Sequence, residues 1–204
     1  MTFKHTKLLH FDFDGVIIDS FKLSFEIWQS FIPEAREEDY RMYFAGNVYD
    51  SIRTKPSVPI EDIKPQWAKN YDKRVRGMYP VPGMENVVSR LSKNFRMNIV
   101  TSSAKSSVEK FLAEHRLEGS FEEILGFEFH ESKHEKIQYL LQKHKASPES
   151  SVIITDTLGD ILEATKVGVP AIAVTWGFHD RKLLQEGNPA AIVDSPSELL
   201  NLFE

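Results

Sequence analysis

The chain has 204 residues, 41% of them hydrophobic and 27% charged, with a formal net charge of −5. That composition excludes intrinsic disorder and fibrous repeats, and it leaves enough apolar residues for one sizeable core. Without any run of Lys and Arg, the mild acidity points away from nucleic acid, which needs a clustered basic face. Cysteine is absent, so disulfides, thiolate catalysis and thiolate metal sites are excluded.

The stretch Met1 to Lys7 is polar and carries no signal-peptide core, and nowhere do 18 uncharged apolar residues run together. The expectation is a cytoplasmic protein without a membrane partner. Short apolar runs then alternate with segments of helical period, the pattern of a parallel sheet covered by helices. The predicted strands are Leu8–Asp12, Met97–Thr101, Glu123–Gly126, Ser151–Asp156, Ala171–Val174 and Ala191–Val193. The predicted helices are Met84–Lys93, Ser106–His115, Lys133–His144, Asp160–Lys166 and Pro196–Phe203, the last with Ser195 as its N-cap.

About seventy residues separate the first strand from the next strand-helix unit, more than a crossover needs. An inserted subdomain accounts for them. Phe21, Phe25, Trp28 and Phe31 lie at helical spacing before Pro33, and Trp67, Tyr71, Val75 and Met78 repeat the pattern after Pro65. The insertion is therefore expected to be helical over residues 21–79, its aromatic stripes forming its own core. The remaining residues, 1–20 and 80–204, make an α/β core domain with a Rossmann-like parallel sheet.

Leu8-Leu9-His10-Phe11-Asp12-Phe13-Asp14-Gly15 is an apolar strand that ends in two aspartates one residue apart. Val152-Ile153-Ile154-Thr155-Asp156 ends a second strand in an acid, and Asp160 follows four residues on. Acids that follow core strands directly sit at the carboxyl edge of the sheet, where such folds place ligands. Side by side they form a hard-oxygen cation site, for which Mg²⁺ is the best match because it takes one or two carboxylates and keeps water and phosphate as its other ligands.

Asp12 to Ser20 together with Asp156-Thr157-Leu158-Gly159-Asp160 resembles the first and last motifs of the haloacid dehalogenase-like hydrolase superfamily. Met97-Asn98-Ile99-Val100-Thr101-Ser102 looks like its second motif and Lys133 like its third, and the insertion lies where that superfamily carries a small helical cap. The resemblance, closest to its phosphoglycolate phosphatase-like branch, implies a Mg²⁺-dependent phosphatase acting on a small phosphorylated metabolite. It implies Asp12 as nucleophile and Asp14 as acid/base, with Thr101, Ser102 and Lys133 holding phosphate. The metal falls to Asp12, the backbone carbonyl of Asp14, Asp156 and Asp160. An acid at the position of Asp14 suits phosphoryl chemistry rather than carbon–halogen cleavage. The chain is expected to be a monomer or a weak homodimer.

Several features depart from that pattern or compete with it. The third motif lacks the usual Gly-Lys-Pro setting and offers two lysines; Lys133, at the helix start, is preferred, and Lys136 reads as a surface residue. Thr155 stands where glycine is common. A phosphomutase is the nearest rival, but Ser24 occupies the position where the matching mutases carry a histidine. A catalytically silent phosphate-binding protein is another alternative. His130-Glu131-Ser132-Lys133-His134 matches the H-E-x-x-H pattern of zinc proteases, yet Ser132 reads as a helix N-cap, so the pattern straddles a loop and a helix instead of sharing one helical face. His10 reads as a buried, hydrogen-bonded histidine and His179 as a loop residue within reach of the site. Asn47, Arg53 and Lys55 of the insertion could reach an anionic substrate.

Overall fold

The computed structural model describes residue 3, residues 5–54 and residues 60–204; Lys55 lies outside the described residues. Six parallel strands form one sheet in the order β3-β2-β1-β4-β5-β6: β1 (Leu8–Phe11), β2 (Arg96–Val100), β3 (Glu123–Leu125), β4 (Ser151–Thr155), β5 (Ala171–Val174) and β6 (Ala191–Val193). Every residue of β1, β4 and β5 is buried, because helices cover both faces and leave no wet side for polar alternation.

On one face Leu9, Phe11, Ile99 and Ile154 pack against α5 (Met84–Leu91), α6 (Lys105–Glu114) and α10 (Pro196–Asn201). On the other, Leu8, Val100 and Ile153 pack against α7 (Lys133–His144), α8 (Leu158–Lys166) and α9 (Arg181–Glu186). The α/β class expected from the sequence is the class observed. Strands β1, β2, β3 and β4 each stop one residue short of expectation, and Asp12, Thr101, Gly126 and Asp156 lie just past their ends. The ladder still carries one more bond at two of these places, from Asp12 N–H to the Ile154 carbonyl (2.9 Å) and from Thr101 N–H to that of Leu125 (3.1 Å).

The segment between β1 and α5 holds α1 (Phe21–Phe31), α2 (Glu37–Met42), α3 (Val48–Arg53) and α4 (Ile60–Val75). Pro65 lies inside α4, not ahead of it. The position is exposed, in the second turn of the helix. The aromatic stripe of α1 is only partly a private core. Phe21, Phe25 and Trp28 cluster with Tyr40 and Tyr43, but Phe178, from the loop after β5, inserts among them, edge-on to Phe21 at 5.2 Å and to Phe44 at 4.8 Å. Burying one such ring contributes about 1.5–3 kcal/mol, so Phe178 fastens the insertion to the α/β layer. Among the described residues, no helix is long and apolar enough to cross a membrane.

Candidate active site

The strand order turns at the β1/β4 pair, since successive strands run outward on one side of β1 through β2 and β3 and on the other from β4 to β6. The crevice beyond that pair receives the loops after both strands. Asp12 leaves β1 and Asp156 leaves β4; Asp160 sits in the first turn of α8, whose N-cap Thr157 accepts from the Asp160 N–H (3.4 Å). Side-chain oxygens of Asp12, Asp156 and Asp160 lie within 4.8 Å of one another, the one such metal-capable group among the described residues.

Lys133, the first residue of α7, reaches into this cluster. Its Nζ donates to Asp12 Oδ2 (2.6 Å) and to Asp160 Oδ2 (2.7 Å), and Asp160 Oδ2 also accepts from Thr155 Oγ1 (2.6 Å). Asp12 Oδ1 accepts from the Phe13 N–H (2.7 Å). Burial would lower the Lys133 ammonium, but the adjacent Asp12 and Asp160 more than reverse it and hold the lysine charged. Burial also raises the Asp160 carboxyl, and Lys133 overrides that, leaving it below the usual range.

Asp12 and Asp156 are pushed the other way. Burial and the neighbouring carboxylates Asp160 and Asp156 raise Asp12 against the pull of Lys133. Burial, with Asp160 adding to it, lifts Asp156 to about 7, although its Oδ2 accepts from the Phe178 N–H (2.7 Å). Asp156 Oδ1 is buried and has no hydrogen-bond partner. A buried carboxylate oxygen with no donor, beside two further carboxylates, is what a small oxygen-seeking cation would complete. Two glycines make room for Asp156: a Cβ at Gly15, whose φ is +72°, would fall 1.8 Å from its Oδ2, and one at Gly177 would fall 2.2 Å away.

The Asp14 carboxylate stands apart from this group. Its Oδ1 accepts from Ser20 Oγ (2.6 Å) and from the Tyr71 hydroxyl of α4, and its Oδ2 accepts from Ser103 Oγ (2.6 Å). Tyr71 therefore does more than fill the core of the insertion, which is all its helical spacing suggests. Ser20 closes the first motif and Tyr71 lies in a helical stripe, but nothing in the sequence links either of them, or Ser103, to Asp14.

The second motif is also arranged differently from expectation. Thr101 is fully buried and its Oγ1 accepts from the Ser103 N–H (3.0 Å), so its hydroxyl does not line the crevice. Ser102 and Ser103 do line it. Lys136 is not a surface lysine: it is fully buried and donates to the Thr101 carbonyl (2.6 Å). His10 is buried as expected, but neither ring nitrogen finds a hydrogen-bond partner, and burial, with His144 nearby, pushes it down to about 3.

His179 serves as a brace. His179 Nδ1 accepts from the Leu158 N–H (2.9 Å), which fixes Nε2 as the donor to the Arg41 carbonyl (2.9 Å) and ties α8 to α2. His130 lies in the loop, where its Nδ1 accepts from the Ser132 N–H (2.9 Å), and α7 begins only at Lys133. The two histidines of the H-E-x-x-H pattern therefore share no helical face, and the zinc-protease alternative has no site.

Above the carboxylates, the insertion closes a cavity of about 140 Å³ lined by Trp28, Tyr49, Trp67 and Tyr71 on its side and by Asp12, Ser102, Ser103 and Lys133 on the other. Asn47 caps α3 by accepting from the N–H groups of Tyr49 (3.0 Å) and Asp50 (3.2 Å), and its amide donates to Glu163 Oε1 (3.0 Å). It bridges insertion and core and is not available to an anionic substrate. Arg53 is ion-paired with Glu131 (2.8 Å), as is Lys64 (2.8 Å). Burial raises the Glu131 carboxyl, and the bonds from Lys64 and Arg53 reverse this and hold it below the usual range.

Residues 9–174 match the family model described as haloacid dehalogenase-like hydrolase. The chain belongs to the haloacid dehalogenase-like hydrolase family. It is 25% identical over 200 residues to the phosphoglycolate phosphatase of Synechococcus elongatus, a match that covers 93% of each chain. It is 24% identical over 203 residues to the pyrophosphatase PpaX of Bacillus cereus, with 95% of this chain and 94% of that one covered. Among solved structures, a haloacid dehalogenase-like family hydrolase from Streptococcus pneumoniae superposes with a TM-score of 0.83 at 24% identity, over 98% of this chain and 99% of the other. This haloacid dehalogenase-like hydrolase thus shares the fold of its relatives nearly from end to end, insertion included.

Proposed function

We propose that the protein is a Mg²⁺-dependent phosphatase that hydrolyses small phosphate monoesters through an aspartyl-phosphate on Asp12, with the helical insertion acting as its cap. The observation that carries this reading is the pairing at the switch point. Asp12 is clamped by the Lys133 ammonium at 2.6 Å and stands beside Asp156, whose Oδ1 is buried without a partner. The family and the phosphatase names of its relatives support it.

Asp12, Asp156 and Asp160, with the Asp14 carbonyl, are the residues that would hold the ion. When bound, Mg²⁺ neutralises the repulsion between a carboxylate nucleophile and an anionic ester. In the first step an Asp12 carboxylate oxygen attacks phosphorus and the ester P–O bond breaks, while Asp14 donates a proton to the departing alkoxide. In the second, Asp14 takes a proton from water as that water attacks the aspartyl-phosphate, and phosphate leaves with Asp12 restored. Lys133, Ser102 and nearby backbone N–H groups bind the phosphoryl oxygens. Thr101 acts one layer behind, holding the Ser103 N–H. Ser24 supports hydrolysis over mutase chemistry: it lines the cavity, and its hydroxyl is committed to the Phe21 carbonyl (3.0 Å).

The test is a panel of phosphate monoesters assayed with Mg²⁺ and with EDTA, for wild type and Asp12→Asn. Turnover is expected with Mg²⁺, absent with EDTA, and reduced about 10³-fold or more by Asp12→Asn. Turnover that survives the substitution overturns the assignment of Asp12.

A further inference from the structure

The leaving-group end of the cavity is apolar in surface, and the cations beside it are already ion-paired. Among the described residues its walls include Trp28, Phe44, Ile52, Ile63, Trp67 and Phe127. The cation there, Lys64, donates to Glu131 Oε1 at 2.8 Å, and its ammonium lies 4.6 Å from the Tyr49 ring centre and 5.1 Å from that of Phe127. Arg53 approaches the same carboxylate from the other oxygen, Oε2, at 2.8 Å. Lys133 is held by Asp12 and Asp160, and the Asn47 amide by Glu163.

A substrate carboxylate placed here would have to displace Glu131 from Lys64 and Arg53. It would also stand among the carboxylates of Glu131, Glu163 and Asp14, which line the same cavity. Both effects are penalties that an uncharged ester escapes, so Glu131 works as a device against charged substrates, in the way that specificity is often set by repulsion. The apolar walls reward carbon surface instead. The volume, about 140 Å³, is close to that of a cavity that holds one benzene ring, and it must take phosphate as well as leaving group.

The geometry points to phosphate monoesters of small, uncharged, largely apolar alcohols as the substrate class, with Glu131 excluding esters that carry a carboxylate. This inference rests on the phosphatase reading, and it separates this chain from relatives named for phosphoglycolate.

The experiment compares kcat/KM for propyl phosphate and for 2-phosphoglycolate in wild type and in Glu131→Gln, with Asp12→Asn as the control for the reaction itself. Wild type is expected to favour propyl phosphate by about tenfold or more. Glu131→Gln, which removes the carboxylate charge facing Lys64 and Arg53 at nearly constant shape, is expected to move the ratio toward phosphoglycolate by about tenfold, chiefly through KM. Wild-type preference for phosphoglycolate overturns the proposal without any variant, and so does a ratio that stays within about twofold in Glu131→Gln. In both cases the Asp12-dependent turnover persists and the phosphatase reading stands. Failure of wild type to turn over any ester of the wider panel removes that reading, and the proposed selectivity with it.

Discussion

Three hydroxyls converge on the Asp14 carboxylate, and they come from three different parts of the chain. Ser20 ends the first motif, Ser103 follows β2, and Tyr71 projects from α4 of the insertion. In the proposed mechanism Asp14 carries a proton in one half of the reaction and lacks it in the other, and hydroxyl groups suit that role because each O–H can rotate to donate or accept. Burial and the charge of Asp14 push the Tyr71 phenol upward, so it remains a donor at any working pH. Since Tyr71 belongs to the insertion, one of the three bonds that position the proposed acid/base group comes from outside the α/β layer. Tyr71→Phe removes the donor but keeps the ring stacked on Trp67, whose centre lies 5.0 Å away. We expect kcat to fall about tenfold with KM within about twofold, a loss the size of one hydrogen bond to a charged group. Steady-state kinetics with an alkyl phosphate decide it; an unchanged kcat would reduce Tyr71 to packing.

At the scale of elements, α7 shows what was legible and what was not. Its bounds follow from the sequence, Ser132 before Lys133 and a turn after His144, and so does the preference for Lys133 as the lysine in the site. The burial of Lys136 is not legible in the sequence, because a lysine is ordinarily assigned to water, although residues 133, 136, 137, 140, 141 and 144 fall on one helical face. Helices α2, α3 and α9 have six residues each, too few turns for a hydrophobic period to show. Their signals are local, the acids Glu37, Glu38 and Asp39 in the first turn of α2 and the caps Asn47 and Asp180.

Lys136 carries a consequence for stability. Burial, with the charge of Lys133 adding to it, pushes the ammonium down to about 7, well below its value of about 10.4 in an unfolded chain. Between those values the unfolded chain binds the extra proton, so this lysine's contribution to stability rises with pH from about 7 to 10; below 7 the buried charge carries its full penalty. Lys136→Met is therefore expected to be more stable than wild type by about 2–4 kcal/mol at pH 6, allowing for the lost bond to the Thr101 carbonyl. That advantage should vanish by about pH 9–10. Urea unfolding at pH 6, 7.5 and 9 measures the difference, and a constant difference would show that Lys136 does not change protonation on unfolding.

Over the whole molecule, the doubly wound sheet draws the groups of the candidate site from the ends of β1, β2 and β4 and the starts of α7 and α8. Asp12, Asp14 and Asp156 could be read from the sequence because they follow apolar strands, which places them at one sheet edge, and Asp160 through the motif it completes with Asp156. Ser103, Tyr71, Glu163 and Asn47 could not, since each acts through a partner distant in the chain. The same convergence leaves the metal-free protein with the uncompensated Asp156 Oδ1, so a cation that binds the folded chain and not the unfolded one must add to stability. Mg²⁺ at about a hundred times its Kd adds about 2.7 kcal/mol, which for a chain of this length raises Tm by about 5–10 °C. In Asp156→Asn the rise should shrink to about 2 °C or less, because a neutral amide is a weaker ligand for a hard cation. The metal-free variant should melt no lower than metal-free wild type, since a buried charge has been removed. Thermal unfolding of both proteins with Mg²⁺ and with EDTA tests the two statements together. An equal rise in the variant would place the ion away from Asp156, and a large drop in its metal-free Tm would mean that the bond from the Phe178 N–H to Asp156 Oδ2 outweighs the cost of burying the charge.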